Sequence, residues 1–194
     1  MLYNKNLAAG FRPNADAKGL FNTRRVEVSS SNAVALFPGS LYVMSGGKLV
    51  SVANSAGNAT EVAGAVISLY NTDGCSVQNL PAGTAGWAEV TFEANQEYVV
   101  TVDDDAFADD GSDNGTMFNV TDETGVANAN GTDGTPYSTR KLDGSTGNAD
   151  TRMFIASRKT GTPGNMGGPS VANVKDASGT EVYCTINPVN WQSW

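Results

Sequence analysis

The chain has 194 residues, a net charge of −8 and no histidine, so Ser-His-Asp and Cys-His nucleophilic systems and His-ligated zinc or iron sites are closed to the monomer. Its 22 glycines, set among many Asn, Thr, Ser and Asp, signal short elements and many turns, while 40% apolar residues suffice for one core. Acidity opposes nucleic-acid binding, no apolar run reaches the roughly 18 residues of a membrane helix, and no dinucleotide or phosphate-loop fingerprint occurs, so nucleic acid, membrane and organic cofactor are all unexpected.

Residues 1–25 carry little periodicity but contain Gly10-Phe-Arg-Pro13 and the pair Arg24-Arg25. They read as an extended N-terminal arm that orders against a neighbour and whose removal leaves the rest folded, with the body of the domain at 26–194. From Arg25 the chain becomes a succession of strands. Arg25–Ser29 alternates, Ala33–Phe37 is apolar and stops at Pro38-Gly39, and Leu41–Met44 and Lys48–Val52 flank Ser45-Gly-Gly47, the pattern of a hairpin. Glu61–Tyr70 is a longer strand in which Gly64 marks a bulge or a close backbone approach. Residues 71–86 read as a surface excursion, and Trp87–Phe92 as the next strand, with Trp87 packed into the core. Further strands follow at Tyr98–Val102, Thr116–Thr121, Arg140–Asp143, Thr151–Ser157 and Glu181–Asn187, separated by Gly-rich loops at 125–134 and 161–168. Cys75 and Cys184 lie in or beside strand-like runs and read as buried free thiols. The expected fold is all-β: a single domain of short antiparallel strands forming a barrel or sandwich, with an extended N-terminal arm and long loops.

The stretch 97–111 is the centre of this arrangement. Tyr98, Val100 and Val102 share one face of a strand that runs straight into Asp103, Asp104, Asp105, Asp109 and Asp110, with Phe107 as the anchor among the carboxylates. No Lys or Arg occurs between Lys48 and Arg140, an interval with fourteen acids, so the middle carries −14 and the flanks, with twelve basic residues and six acids, carry +6. The blander reading is a solvated acidic face, and the sharper one is a polar molecule whose basic ends grip an anionic neighbour.

Gly10-Phe-Arg-Pro13, Arg24-Arg25-Val-Glu-Val, Ala35-Leu-Phe-Pro-Gly39, Tyr98-Val-Val-Thr-Val-Asp-Asp-Asp-Ala-Phe107, Arg152-Met-Phe-Ile-Ala and Val182-Tyr-Cys-Thr-Ile-Asn187 follow one another along most of the chain. In that order they resemble the head decoration, or cement, proteins of tailed bacteriophages. The Trp-rich ending and the 161–168 loop depart from the pattern. The resemblance implies a non-enzymatic structural protein of the virion on the outer surface of the viral capsid, bridging major capsid protein subunits and assembling as a homotrimer. It also implies capsid contacts at Phe11, Arg12, Arg24 and Arg25, with Phe11 as an anchor and the arginines pairing with carboxylates.

Other chemistries compete for the same residues. Asp110-x-Ser112-x-Asn114-Gly115 matches the first half of an EF-hand loop, but Thr121 stands where the bidentate Glu belongs, so the calcium candidate is a looser oxygen-lined site of Asp103, Asp105, Asp109 and Asp110. A carbohydrate-binding head-fibre or adhesin-like module would rest on Trp87, Trp191, Trp194 and Tyr137. A glycoside hydrolase would need a carboxylate pair such as Glu89 and Glu93, a pairing that any acidic chain supplies by chance.

Overall fold

In a computed structural model, the structure describes residues 10–14, 22–53, 61–102, 115, 117–125, 137–143, 153–159 and 181–193. The described residues hold strands and turns and no helix. In chain order the strands are β1 (Arg12–Pro13), β2 (Thr23–Val28), β3 (Leu41–Ser45), β4 (Lys48–Ser51), β5 (Gly64–Tyr70) and β6 (Ser76–Val77). They continue with β7 (Gly86–Thr91), β8 (Glu97–Thr101), β9 (Met117–Val120), β10 (Leu142–Asp143), β11 (Phe154–Lys159) and β12 (Glu181–Ile186).

Strands β3-β4-β2-β7-β5 are neighbours in that order, and pairing of Leu41 with Ala65 and Tyr42 with Gly64 joins β3 to β5, which closes a five-stranded barrel. The β3–β4 hairpin forms as expected, because Gly46 and Gly47 both take the positive φ of a two-residue turn (59° and 77°). Val26, Val28, Leu49, Leu69, Ala88 and Val90 point inward, as strand alternation requires, and pack with Tyr42, Leu36 and Leu80 into the barrel's own core. Gly64 sits where a Cβ would lie 2.1 Å from the Thr91 carbonyl oxygen, the close approach its sequence position signals; the register shift of β5 falls one turn of the pleat later, between Val66 and Ser68. Ala33–Phe37 is not a strand. Only Leu36 bridges, to Leu80, and the segment lies across the barrel with Leu36 and Phe37 buried. The β2–β4 pairing is parallel, at Val28 and Leu49, the exception in an otherwise antiparallel barrel.

The second layer is a sheet in the order β1-β8-β12-β11-β9-β10. Tyr98, Val100 and Val102 face one way, as their alternation predicts, and with Phe154, Val182, Cys184 and Ile186 they pack on Leu41, Val52, Val62 and Ala65 of the barrel. Tyr98 and Thr91 exchange a hydrogen bond across this junction at 2.9 Å, and Thr91 Oγ1 also accepts the Ala65 N–H at 3.0 Å, so the two layers share a buried polar hub.

The boundary expected at residue 25 therefore falls within β2, and Gly10–Asn14 belongs to the fold. Phe11 is fully buried, stacked on Phe154 at 4.4 Å and edge-on to Tyr98 at 6.2 Å. Arg12 and Pro13 pair with Val99 and Tyr98. An aromatic ring beside an open sheet edge gains more from the core than from solvent.

A buried carboxylate fastens the loops after β9. Glu123 accepts hydrogen bonds from Ser40 Oγ (3.2 Å), Ser138 Oγ, the Gly125 N–H (3.1 Å) and both Thr139 N–H (2.9 Å) and Oγ1 (2.7 Å). Nearby Arg140, also buried, donates to the carbonyls of Thr121 (3.1 Å) and Val52 (2.6 Å), tying sheet to barrel. Burial pulls the Arg140 pKa down, while Glu123 and Asp122 pull it up.

Candidate functional site

The structure brings two of the four expected contact residues, Arg24 and Arg25, together on the first half of β2, where both are exposed. Alternation sends Arg25 and Glu27 to the outside of the barrel and Val26 and Val28 inside. Register then decides the neighbours: Arg25 lies opposite Glu89, Glu27 opposite Trp87, and Trp87 opposite Tyr70. The outer face of β2-β7-β5 thus gathers two aromatic rings, an arginine and two carboxylates from distant parts of the sequence.

The Arg25 guanidinium lies 4.6 Å from the Tyr70 ring centre and 5.4 Å from that of Trp87, and the Arg24 guanidinium 5.1 Å from the Phe92 ring. Each such contact contributes about 0.5–1 kcal/mol at an exposed site. That is enough to hold a planar donor group in place without covering its N–H edges. Glu89 stands opposite Arg25, yet its oxygens accept from Thr23 Oγ1 (2.7 Å) and Ser68 Oγ (3.1 Å). Glu27 is engaged by Lys48 Nζ at 2.5 Å. Arg25 consequently has no ion-pair partner among the described residues. Trp87 is 37% exposed, which corrects the expectation that it packs into the core: Ala88 and Val90 take the inward positions of β7, so Trp87 must face out.

The other expected contacts lie elsewhere. Phe11 does not serve as a surface anchor, because its ring is in the core between the layers. Arg12 pairs with Glu181 two strands across the second sheet. Asp103, Asp105, Asp109 and Asp110, and Phe107 with them, lie outside the described residues, so the calcium candidate lies there too. Among the described residues no cluster of acidic or cysteine side chains is arranged to hold a metal. Of the aromatics considered for carbohydrate, Tyr137 is exposed, Trp191 packs partly against the core between the layers, and Trp194 lies outside the described residues. Glu89 is bound by hydroxyls on the barrel face, whereas Glu93 accepts from the Asn22 amide beyond the strand end. Cys184 is buried, which pushes its thiol pKa up, but Cys75 is exposed in the β5–β6 turn and not buried as expected.

Tyr70 and Phe92, the rings beneath the arginines, went unmarked in the sequence. The signal was present in part, since Tyr70 ends a strand at an outward position. Which arginine it meets depends on the β5-β7-β2 order, which no local pattern carries. No protein family model matches this chain, and neither a curated protein nor a solved structure is significantly similar to it.

Proposed function

We propose that the protein is a non-enzymatic structural component of a tailed-bacteriophage virion, a decoration or cement protein that binds the outside of the icosahedral head and bridges major capsid subunits. The exposed Arg25–Tyr70–Trp87 face carries this reading. Trp, Tyr and Arg are the residue types that concentrate binding energy at protein interfaces, and here they are assembled on a rigid sheet. Arg24 and Arg25 pair with carboxylates of the major capsid protein, and a homotrimer multiplies modest contacts through effective concentration. Capsid stability then rises by mass action.

The test is sedimentation of the purified protein with expanded, undecorated shells, with and without calcium. Cosedimentation at a fixed ratio is expected, and Arg25→Ala combined with Trp87→Ala should lower occupancy at least tenfold, since two interface anchors each contribute about 1–2 kcal/mol or more. Protein that stays in the supernatant under every condition rejects the reading. A calcium requirement would assign the carboxylates of 103–110 a metal.

Exposure of Trp87 beside Tyr70 also favours a second reading, a carbohydrate-binding head-fibre or adhesin-like module, in which sugar rings stack on the indole. Retention on a glycan array that Trp87→Ala abolishes would select it.

A further inference from the structure

Arg25 and Glu89 carry opposite charges at one register position of β2 and β7, and both side chains leave the sheet on the outer face of the barrel. Directly opposed residues in an antiparallel pair have Cβ atoms about 4.5–5.5 Å apart, and opposite charges so placed attract. These two nevertheless form no ion pair among the described residues. The Arg25 guanidinium instead turns over Tyr70 and Trp87 and reaches the β5–β6 turn, where one Nη lies 3.6 Å from the place of a Cβ at Gly74.

Two hydroxyls account for the missing pair. Glu89 Oε1 accepts from Thr23 Oγ1 at 2.7 Å and Oε2 from Ser68 Oγ at 3.1 Å, so each oxygen is turned to a hydroxyl. Ser68 stands there because of the bulge in β5. Val66 pairs with Val90, and an unbroken register would put Ile67 opposite Glu89; the shift puts Ser68 there instead. A branched apolar side chain offers a carboxylate no donor, and Glu89 would then have Arg25 to turn to. Ser68 Oγ also lies 3.2 Å from the Tyr70 hydroxyl. A carboxylate only accepts, so the Ser68 proton goes to Glu89 and the Tyr70 hydroxyl supplies its own to Ser68 Oγ. The clamp on Glu89 thus also ties down one of the rings beneath Arg25.

We propose that Thr23 and Ser68 are positioning residues that hold the cross-strand Glu89 off Arg25 and so keep the Arg25 guanidinium open for a carboxylate supplied by a partner. This rests on the reading that the Arg25–Tyr70–Trp87 face meets a partner, and it adds what makes that face select an anionic group. Glu27, the other carboxylate on the outer face of β2, is neutralised by Lys48, so with Glu89 clamped the unmet charge is that of Arg25. A planar fork braced on aromatic rings keeps its N–H edges free to take a carboxylate in bidentate fashion. Loss of the clamp lets Glu89 occupy the fork from within the chain, as a competitor at high effective concentration.

The probe is benzoate, with benzamide as its neutral counterpart, titrated against the full chain at constant ionic strength and read by the NMR shift of the Arg25 Nε–H. The wild-type protein is expected to prefer benzoate. Thr23→Val combined with Ser68→Ala should lower that preference about threefold, the range of an exposed ion pair, and Thr23→Val alone, which leaves the Tyr70 link in place, should show part of the loss. Adding Glu89→Gln to the double variant should restore the preference, a rescue that a merely structural role of the hydroxyls does not predict. No preference for benzoate at Arg25 in the wild-type protein overturns the proposal. An unchanged preference in the double variant overturns it as well, and so does a loss that Glu89→Gln fails to restore. Shell occupancy of the same variants separates this inference from the reading beneath it. Occupancy that falls with Arg25→Ala but not with the double variant sinks the clamp and leaves the face as the shell contact. Occupancy that ignores Arg25→Ala while the benzoate pattern holds rejects the face as the shell contact and leaves the clamp standing.

Discussion

The Tyr98 hydroxyl sits between the two layers with Thr91 Oγ1 as its partner, and Tyr42 adds a bond from its own hydroxyl to the Thr91 carbonyl at 2.7 Å. Tyr98→Phe removes one buried hydrogen bond without creating a large void, and a loss of about 1–2 kcal/mol in urea denaturation is expected. The same residue predicts a pH response. Burial raises the Tyr98 phenol above its ordinary value of 10.0 and the Cys184 thiol above 9.0. The native state therefore keeps protons that the unfolded chain releases, so stability holds below about pH 9 and falls as pH rises through the range where the unfolded groups ionise. Urea titrations stepped from neutral to alkaline pH should show that decline, and Tyr98→Phe should remove the phenol's share of it. At the surface the same physics is weak: the Arg12–Glu181 and Lys48–Glu27 pairs are exposed and add little to stability.

Between elements, two close contacts decide whether the barrel and sheet can form. A Cβ on Gly64 would collide with the Thr91 backbone, which is itself part of the hub, so Gly64→Ala is expected to cost about 1–3 kcal/mol by forcing β5 and β7 apart. Gly47→Ala serves as the comparison, because its Cβ meets open space and its penalty is confined to the turn conformation. Strand β1 is only two residues long, yet it delivers Phe11 to the stack with Phe154 and Tyr98. Phe11→Ala should destabilise the protein by about 3–5 kcal/mol, the usual cost of emptying a buried aromatic site. Deleting residues 1–25 removes that ring together with the first half of β2, and should abolish cooperative unfolding, in contrast to the detachable arm that the sequence suggests. Circular dichroism during thermal melts would decide between the two.

For the whole molecule the question is which surface meets a partner. The +6 of the flanks includes exposed Arg24 and Arg25 on β2, with Arg25 on the outer barrel face, so shell binding led by that face should weaken as salt rises. Occupancy of shells measured across a salt series, with the Arg25 and Trp87 variants alongside, checks this. The all-β class, the hairpin at Gly46-Gly47, the tight packing at Gly64 and the facing of Tyr98, Val100 and Val102 were all legible in the sequence. Each depends on residues a few positions apart, through strand alternation, turn conformation or the absence of a side chain. The pairing of β2 with β7 was not, because it joins positions more than fifty residues apart with equally suitable strands to choose from. That choice turned Trp87 outward and placed Arg25 on Tyr70. The same long-range packing drew Phe11 inward, since an aromatic side chain near a terminus looks alike whether it caps a core or reaches for a neighbour. Local chemistry set what kinds of elements form, and the tertiary structure alone decided which side chains they share with solvent.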